Sequence, residues 1–286
     1  MSTQEQEQIF HILKVYGDNI ACYYNNILEK EFEDEDLHLF RTNSRRSRAL
    51  LDVFYLFFEE ERYTKINETL LNITQNTNKI RDLTVFLEAY RTSLTPYTTY
   101  FPESFYSYWF NELENEKDKL YQFLKIDKNQ QDFNWYLMIL EDKRKRKDIP
   151  TDMVVYVRDV VTEHFKESMA FHTTYKIDGN EKNLHKIRIS LRQIYYLFES
   201  FENYQIAIQN GTLFEQCKFL QKKLGRFNDL RNWIKFIQKY IKNNNEDVIL
   251  RDFEEKIRTE KESIIEEIEA LLPILLSTEL SQIAKG

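Results

Sequence analysis

Apolar residues recur at three- and four-residue steps along most of the chain. In the first segment this pattern is carried by Ile9, Phe10, Leu13, Tyr16, Ile20, Tyr24, Ile27 and Leu28. Side chains at this spacing share one face of an α-helix, so the pattern predicts an amphipathic helix there. The same reasoning predicts further helices over residues 37–60, 64–94, 103–125, 130–146, 152–173, 183–209 and 212–242, and a last one that ends near Leu272.

Turn-forming residues are rare, which favours long helices joined by few loops. The chain of 286 residues holds 5 Gly and 4 Pro, whereas strand-rich folds need many tight turns that draw on these two residues. The clearest loops are segment 95–102 with its two prolines, the polar segment 178–180, and Asn210-Gly211. These features predict an all-α fold.

One sequence motif occurs twice at a constant offset of 147 residues. The segment LHLFRTNSRRSRALLDVF begins at Leu37, and LHKIRISLRQIYYLFESF begins at Leu184. The offset makes the following pairs: His38 with His185, Arg41 with Arg188, Arg45 with Arg192, Leu50 with Leu197, Phe54 with Phe201, and Asp82-Leu83 with Asp229-Leu230. A register held without a gap predicts an internal duplication, with residues 1–147 as the first half and 151–286 as the second.

Basic residues are concentrated in three windows without acid, although the net charge of the chain is -7. The windows are residues 37–51, 182–198 and 216–228, and each holds four lysines or arginines. The remaining sequence therefore carries 28 basic and 47 acidic residues. This segregation predicts a positive patch on an otherwise acidic body, and hence an anionic partner.

The repeated motif reads His-x2-Arg-x3-Arg, which places its basic residues on one helix face. At about 100° per residue, positions 0, +3 and +7 fall within an arc of roughly 60°. Like charges at this spacing repel and weaken an isolated helix, so either nearby carboxylates or a ligand must offset them. Arginine suits a ligand, because its planar guanidinium makes multidentate contacts with phosphate oxygens. The alternative is a solvated helix face with intramolecular ion pairs.

Two aspartates accompany the repeated motif. Asp82 and Asp229 each follow their histidine by 44 residues, which predicts a position on a neighbouring antiparallel helix. There each can pair with the histidine or with an arginine and hold the basic face in place.

Cysteine usage and hydropathy bear on compartment and cofactors. Cys22 and Cys217 have no metal-ligand spacing, which argues for a reducing compartment. The polar amino terminus does not resemble a secretory signal, and no apolar run approaches the roughly 20 residues of a membrane span. The neighbouring arginines disfavour a metal cation at His38 and His185. We therefore expect a cytoplasmic protein without a metal or another cofactor.

The motifs resemble those of the CHAD domain, the conserved histidine α-helical domain. Its first-half pattern is close to His-x2-Arg-x3-Arg-Arg-x-Arg after acidic residues. This chain has, in order, Asp34, Glu35, Asp36, His38, Arg41, Arg45, Arg46 and Arg48. The family's next signature resembles Leu-Gly-x2-Arg-Asp; here Arg81 and Asp82 match it, whereas Thr77 and Asn78 replace the Leu-Gly.

The second half of the chain is similar to the family's second-half pattern. The matching residues are Leu184, His185, Arg188, Ile189, Arg192 and Tyr196. Gln193 and Tyr195 stand where basic residues are usual, so we expect weaker anion contact from this half. The segment LGRFNDL over residues 224–230 closely matches the family's second Leu-Gly-x2-Asn-Asp signature.

The resemblance implies both a fold and a ligand. The implied fold is all-α: two four-helix bundles related by a pseudo-twofold axis, with long antiparallel helices around a basic central cleft. The implied function is non-catalytic binding of inorganic polyphosphate, typically in bacteria and archaea and often near polyphosphate granules.

The resemblance and the basic windows together select candidate binding residues and two orienting carboxylates. The candidates for polyphosphate binding are His38, Arg41, Arg45, Arg46, Arg48, Arg81, His185, Arg188, Arg192, Lys222, Lys223 and Arg226. The orienting candidates are Asp82 and Asp229. We expect no catalytic residue and no membrane association.

Three other functions could use the same patch. An enzyme acting on phosphoanhydrides would need divalent metal held by carboxylates, which the basic windows do not offer. A nucleic-acid reader would need aromatic residues interleaved with the basic ones for base stacking, and most Phe and Tyr residues fall at core-like positions instead. A scaffold for an acidic protein partner stays open.

Overall fold

Helices are the regular elements of the chain. The computed structural model describes residues 3–29, 34–92, 101–142, 152–202, 213–244 and 248–283, and within these ranges it holds nine α-helices and no strand. The helices are α1 (Thr3–Glu29), α2 (Asp34–Val53), α3 (Glu60–Arg91), α4 (Glu103–Lys125), α5 (Asp127–Glu141), α6 (Met153–Asp178), α7 (Glu181–Ser200), α8 (Leu213–Asn244) and α9 (Val248–Ile283). The predicted all-α fold class is confirmed.

The helices group into two compact units. The first comprises Met1–Arg81 and Glu112–Val157, and the second comprises Asp82–Asn111 and Arg158–Gly286. Residues 82–111 thus group with the second unit, although the sequence repeat assigns them to the first half. The duplication, the pseudo-twofold axis, the central cleft and the two halves stay predictions. The predicted boundary between the halves lies outside the described residues.

In the first unit, α1 packs against both α2 and α5. The Tyr24 hydroxyl donates to the Leu124 carbonyl oxygen at 2.6 Å, and its ring stacks on Phe133 with centroids 4.8 Å apart. Burial raises the pKa of Tyr24 to about 12, which keeps the phenol a hydrogen-bond donor. Gly17 allows close contact with α5, because a Cβ there would lie 2.9 Å from Cδ1 of Leu140.

The helix predicted over residues 37–60 is interrupted, so that part of the prediction is wrong. Helix α2 ends at Val53, a 3₁₀ turn spans Tyr55–Phe57, and α3 begins at Glu60. The cause is that Phe57 and Phe58 are consecutive and both buried, with ring centroids 6.2 and 5.4 Å from that of Phe10. Consecutive helical side chains diverge by about 100°. Ending the helix lets both rings pack on the same partner.

Aromatic side chains form much of the core of the second unit. The ring centroid of Phe86 in α3 lies 6.3 Å from that of Trp109 in α4 and 5.8 Å from that of Trp233 in α8. Phe105 of α4 makes an edge contact with Tyr240 of α8, with centroids 4.9 Å apart. Helix α8 also packs along α7 and α9. This packing fixes α8 beside the second copy of the basic motif.

A tight turn joins α6 to α7 at the predicted loop 178–180. Gly179 has a φ of 63°, which a glycine adopts without steric penalty at the end of a helix. The Asn180 side chain then caps α7 by accepting from the Lys182 amide. Helix α7 ends at Ser200, short of the predicted 209; residues 203–212 lie outside the described chain.

Helix α9 continues through Pro273, so the prediction that it ends near Leu272 is wrong. The helix runs from Val248 to Ile283. A proline removes one backbone hydrogen bond. Burial of Leu272 and Leu275 on either side of it keeps the chain packed in helical form. Across the described ranges, no helix combines the length and hydropathy that crossing a bilayer requires.

Candidate anion-binding site

The first basic motif lies on α2, whose amino-terminal turn is acidic. Asp34, Glu35 and Asp36 occupy this turn, where carboxylates stabilise the positive end of the helix dipole. Two of them are held in place: Asp34 is 3.0 Å from Nζ of Lys117, and Asp36 accepts from Asn26 at 3.0 Å. These acids thus support the helix at its start. His38 follows them and is exposed.

One face of α2 is packed, and the helix also carries four arginines that differ in exposure. The buried positions include Leu37, Phe40 and Leu50, and the Ser47 hydroxyl lies 2.9 Å from that of Tyr136. We name Arg41, Arg45, Arg46 and Arg48 the α2 row. Packing of the apolar face fixes the direction in which this row points.

Arg41 is the buried member of the α2 row, with an exposed fraction of 5%. Its Nη1 donates to the Thr77 hydroxyl and, at 3.5 Å, to the Thr74 carbonyl oxygen. Its Nη2 donates to the Asn78 amide oxygen at 3.2 Å. These acceptors all belong to α3 and are neutral, so Arg41 ties α2 to α3.

Arg48 is oriented by a chain of polar contacts. Its Nε donates to the Asn67 amide oxygen at 2.9 Å, and the Asn67 amide in turn lies 3.4 Å from the Tyr63 hydroxyl. That hydroxyl donates to Asp52 at 2.8 Å. Burial, and then the nearby Asp52 carboxylate, raise the pKa of Tyr63, so it remains a donor. Arg48 is half-buried, and its side chain is held at a fixed position.

Arg45 is half-buried and has no charged partner within the described residues. Neither an ion pair nor a hydrogen bond joins it to another described residue, and its Nε is shielded from solvent. Arg46 and Arg81 are also half-buried. Arg45 therefore keeps a charge that no described residue offsets, with one guanidinium nitrogen out of contact with solvent, and such a group can accept an external anion.

The second basic motif lies on α7 and is joined by an arginine from α8. His185 is exposed, and Arg188 and Arg192 are half-buried. The pKa of His185 is held below its usual range, first by desolvation and then by the positive charges of Arg188, Arg231 and Arg192. We name Arg188, Arg192 and Arg231 the α7 row.

Arg231 was missed from the sequence because it lies one residue beyond the LGRFNDL motif. Its Nη2 donates to the Asn228 amide oxygen at 2.9 Å, and its Nε lacks an acceptor among the described residues. A helical projection would have found it. Gln221, Asn228 and Arg231 share one face of α8, and Gln221 Nε2 donates to the Arg188 carbonyl oxygen at 2.7 Å.

The three cations predicted on α8 differ in their surroundings. Lys223 forms an ion pair with Glu267 of α9, and Arg226 Nε lies 2.8 Å from Glu260 of the same helix. Lys222 is exposed. A window without acid in the sequence therefore does not leave its cations unpaired, because α9 supplies carboxylates. The contribution of these three cations to binding stays a prediction.

The two predicted orienting carboxylates both belong to the second unit. Asp82 accepts from the Asn232 amide at 2.8 Å, and Asp229 lies half-buried on α8. Asp82 therefore holds a neutral amide of α8 in place. The prediction that these two aspartates orient the histidines or arginines stays a prediction.

The arrangement suits contact with an extended anion. Arg45 and Arg48 are three residues apart on α2, a rise of about 4.5 Å at 1.5 Å per residue, so one extended anion can contact both. Within the described residues, no group of three or more His, Cys, Asp or Glu side chains is placed to hold a metal ion.

Comparisons with known proteins give one family model and similar solved structures. The family model of the CHAD domain matches residues 21–238. A crystal structure of the CHAD domain from the plant Ricinus communis is similar to this chain, with a TM-score of 0.61 and 15% identity over 97% of this chain and 91% of that one. PptA from Streptomyces chartreusis is similar too, with a TM-score of 0.65 and 10% identity over 98% and 95% of the two chains.

At these identities the two structures establish a shared fold. A search of curated proteins gives no match to the chain. The family match covers more than half of the sequence and includes both basic motifs. The chain belongs to the CHAD domain family.

Proposed function

We propose that the protein binds inorganic polyphosphate without catalysing a reaction, through the α2 row and the α7 row. The CHAD domain family is associated with polyphosphate binding. The observation that carries the proposal for this chain is Arg45, a half-buried guanidinium without an ion pair or hydrogen bond to any described residue. An anion at that position offsets its charge.

Electrostatics explains how a chain of net charge -7 binds a polyanion. A linear polyphosphate holds condensed counterions, and each arginine contact releases them into solution, as at a nucleic-acid backbone. The gain is entropic and falls as salt rises. The acidic remainder of the surface repels the ligand, so binding is confined to the rows.

The residues of the site have different roles in this proposal. Arg45, Arg46 and Arg48 contact the ligand from α2, and Arg41 positions α2 on α3. His38 of α2 and Arg81 of α3 are further contacts in this proposal. In the second unit the contacts come from Arg188, Arg192, Arg231 and His185. Lys222 adds an exposed charge, whereas the carboxylates on Lys223 and Arg226 reduce their contribution.

Replacing one contact residue in each row tests the proposal. The variant Arg45→Gln/Arg192→Gln should lose most of its affinity for long-chain polyphosphate, measured by titration at low salt, while its helical circular dichroism stays unchanged. Lys128→Gln/Arg251→Gln is the matched control, because it removes the same charge from two exposed positions outside the rows. An equal loss of polyphosphate affinity in both double variants would show that only net charge matters and would contradict the proposal.

The non-catalytic part of the proposal is tested separately. Arg48 donates to the amide of Asn67, and Arg41 donates to the amide of Asn78 and the hydroxyl of Thr77, whereas divalent metals prefer carboxylates. Incubation with polyphosphate and Mg²⁺ should release no phosphate. Release that disappears in Arg45→Gln/Arg192→Gln would make the site enzymatic. The cytoplasmic location, the association with granules and the bacterial origin remain predictions.

A further inference from the structure

An exposed tyrosine follows the α2 row. Tyr55 lies in the 3₁₀ turn after α2 and is 48% exposed. Its ring contacts that of Tyr63 in α3, with centroids 5.9 Å apart. Phe54 and Phe57, beside it in the same turn, are fully buried. The Tyr55 ring is therefore presented to solvent by a turn that is anchored in the core.

Tyr63 connects this ring to Arg48. The Asn67 amide donates to the Tyr63 hydroxyl at 3.4 Å, and its oxygen accepts from Nε of Arg48 at 2.9 Å. Burial and the Asp52 carboxylate raise the pKa of Tyr63, and the nearby charge of Arg48 opposes that rise. Arg48 and Tyr55 therefore border the same junction of α2 with α3.

The terminal nitrogens of Arg48 are available to a ligand. Its Nε is used by Asn67, and within the described residues neither Nη1 nor Nη2 has a hydrogen-bond or ion-pair partner. Arg45, one helical turn earlier, also has no such partner there. Two guanidinium groups at this spacing can contact adjacent phosphates. Glu60 and Glu61 are exposed in the first turn of α3 and repel phosphate, which directs it towards the arginines.

The second motif has different residues at these positions. The 147-residue offset aligns Arg48 with Tyr195 and Tyr55 with Glu202. The Tyr195 ring stacks on that of Phe214, with centroids 5.2 Å apart and 9° between the planes. The combination of an arginine and an exposed tyrosine thus belongs to the first motif.

The ligand that fits these residues carries both phosphates and a planar ring. Guanidinium groups bind phosphate oxygens, and a tyrosine ring at the surface stacks on a nucleobase. We propose that Arg45, Arg48 and Tyr55 form a binding site for a nucleoside polyphosphate, with consecutive phosphates on the two arginines and the base on the tyrosine ring. The inference rests on the proposed function and adds a ligand class to the α2 row. An oligonucleotide has one phosphate between nucleosides, so it does not place consecutive phosphates there.

Titration with ATP and with ribose 5-triphosphate, both without divalent metal, isolates the contribution of the base, because the two ligands carry the same phosphates. ATP should bind wild type about tenfold more tightly, the effect of stacking one base. Tyr55→Leu should lower ATP affinity to that of ribose 5-triphosphate, and Tyr55→Phe should retain the preference. Arg48→Gln should weaken both ligands. Phe110→Leu is the matched control, since it removes a ring of similar exposure, 40%, from the second unit.

Photolabelling locates the base directly. 8-Azido-ATP should label the peptide that contains Tyr55, and excess long-chain polyphosphate should suppress this labelling, because both ligands use Arg45 and Arg48. Equal affinity for the two triphosphates in wild type, or a preference for ATP that Tyr55→Leu does not reduce, would overturn the inference. Polyphosphate binding that persists in that case leaves the proposed function standing. Tyr55-dependent ATP binding without polyphosphate binding would contradict the proposed function and keep the nucleotide site.

Discussion

At the residue scale, two arginines of one sequence motif have different roles, one in packing and one in ligand binding. Arg41 and Arg45 are four residues apart on α2. Arg41 is buried against neutral acceptors of α3, whereas Arg45 has no hydrogen-bond or ion-pair partner among the described residues. The motif predicted both as ligand contacts. A spacing rule identifies the helix face but does not show which side chain its neighbours enclose.

Replacing Arg41 should act on stability. The variant Arg41→Ala removes the hydrogen bonds to Thr77 and Asn78, and hydrogen bonds to charged groups contribute roughly 1.5–3 kcal/mol. We expect the free energy of unfolding in urea to fall by about 2 kcal/mol or more. An unchanged unfolding midpoint would show that Arg41 does not hold α2 to α3.

Replacing Arg45 should act on binding instead. Arg45→Gln removes a half-exposed charge that no described residue offsets, so stability should stay about the same. Polyphosphate affinity should fall about tenfold for one lost charge-assisted contact. Titration and urea unfolding of the same preparation separate the two effects. A variant that unfolds more easily and binds normally would reverse the roles given to Arg45 and Arg41.

His185 should report ligand binding through its pKa. Desolvation and the charges of Arg188, Arg231 and Arg192 lower that pKa from 6.5 in the free protein. A bound polyanion offsets these charges, so the pKa of His185 should rise. Binding then takes up protons, and affinity should increase as the pH falls through the raised pKa of His185 in the complex.

The stability of the free protein should change in the opposite direction. Because its folded pKa is lowered, His185 contributes stability above pH 6.5 that is lost as the pH falls. Nuclear magnetic resonance titration of the imidazole, with and without polyphosphate, measures both pKa values, and His185→Asn assigns the signal. A pKa that stays the same or falls when ligand is added would contradict the account.

At the scale of the element, periodicity predicted the helices well and their ends less well. The turn at 178–180 was predicted because Gly179 and Asn180 carry local turn chemistry. The break after Val53 and the continuation through Pro273 depend on rings and leucines buried by tertiary packing. Burial of this kind overrides local helix propensity, and it cannot be read directly from a single sequence. Arg231 escaped the sequence reading because it lies one residue beyond the LGRFNDL motif.

The turn between α6 and α7 provides a test of local structure without the ligand. Gly179→Ala places a Cβ at a φ of 63°, which costs about 1–2 kcal/mol for a residue other than glycine. No atom lies within 4 Å of that Cβ, so the loss is due to the backbone alone. We expect a lower thermal midpoint with unchanged polyphosphate affinity, since the turn lies outside both rows. A midpoint equal to that of wild type would contradict the backbone assignment.

At the scale of the whole molecule, the net charge is negative, whereas the placement of particular cations favours binding of an anion. The chain is acidic overall, yet ion pairs neutralise some cations and not others. Lys223 and Arg226 have carboxylates of α9 beside them, whereas Arg45 has none within the described chain. Binding of an anion depends on such local differences, because charges exposed to solvent are screened within about 10 Å at 0.1 M salt.

The salt dependence of polyphosphate binding tests the central claim most directly. The logarithm of the association constant is measured against the logarithm of salt concentration for wild type, for Arg45→Gln/Arg192→Gln and for the control Lys128→Gln/Arg251→Gln, with an oligonucleotide of equal charge as competitor. We predict steep, salt-sensitive binding that the oligonucleotide does not displace. The slope of the Arg45→Gln/Arg192→Gln variant should be smaller by about 1.4, or roughly 0.7 per lost contact, and the control slope should be unchanged. No binding at low salt, or equal slopes in all three proteins, would contradict the account.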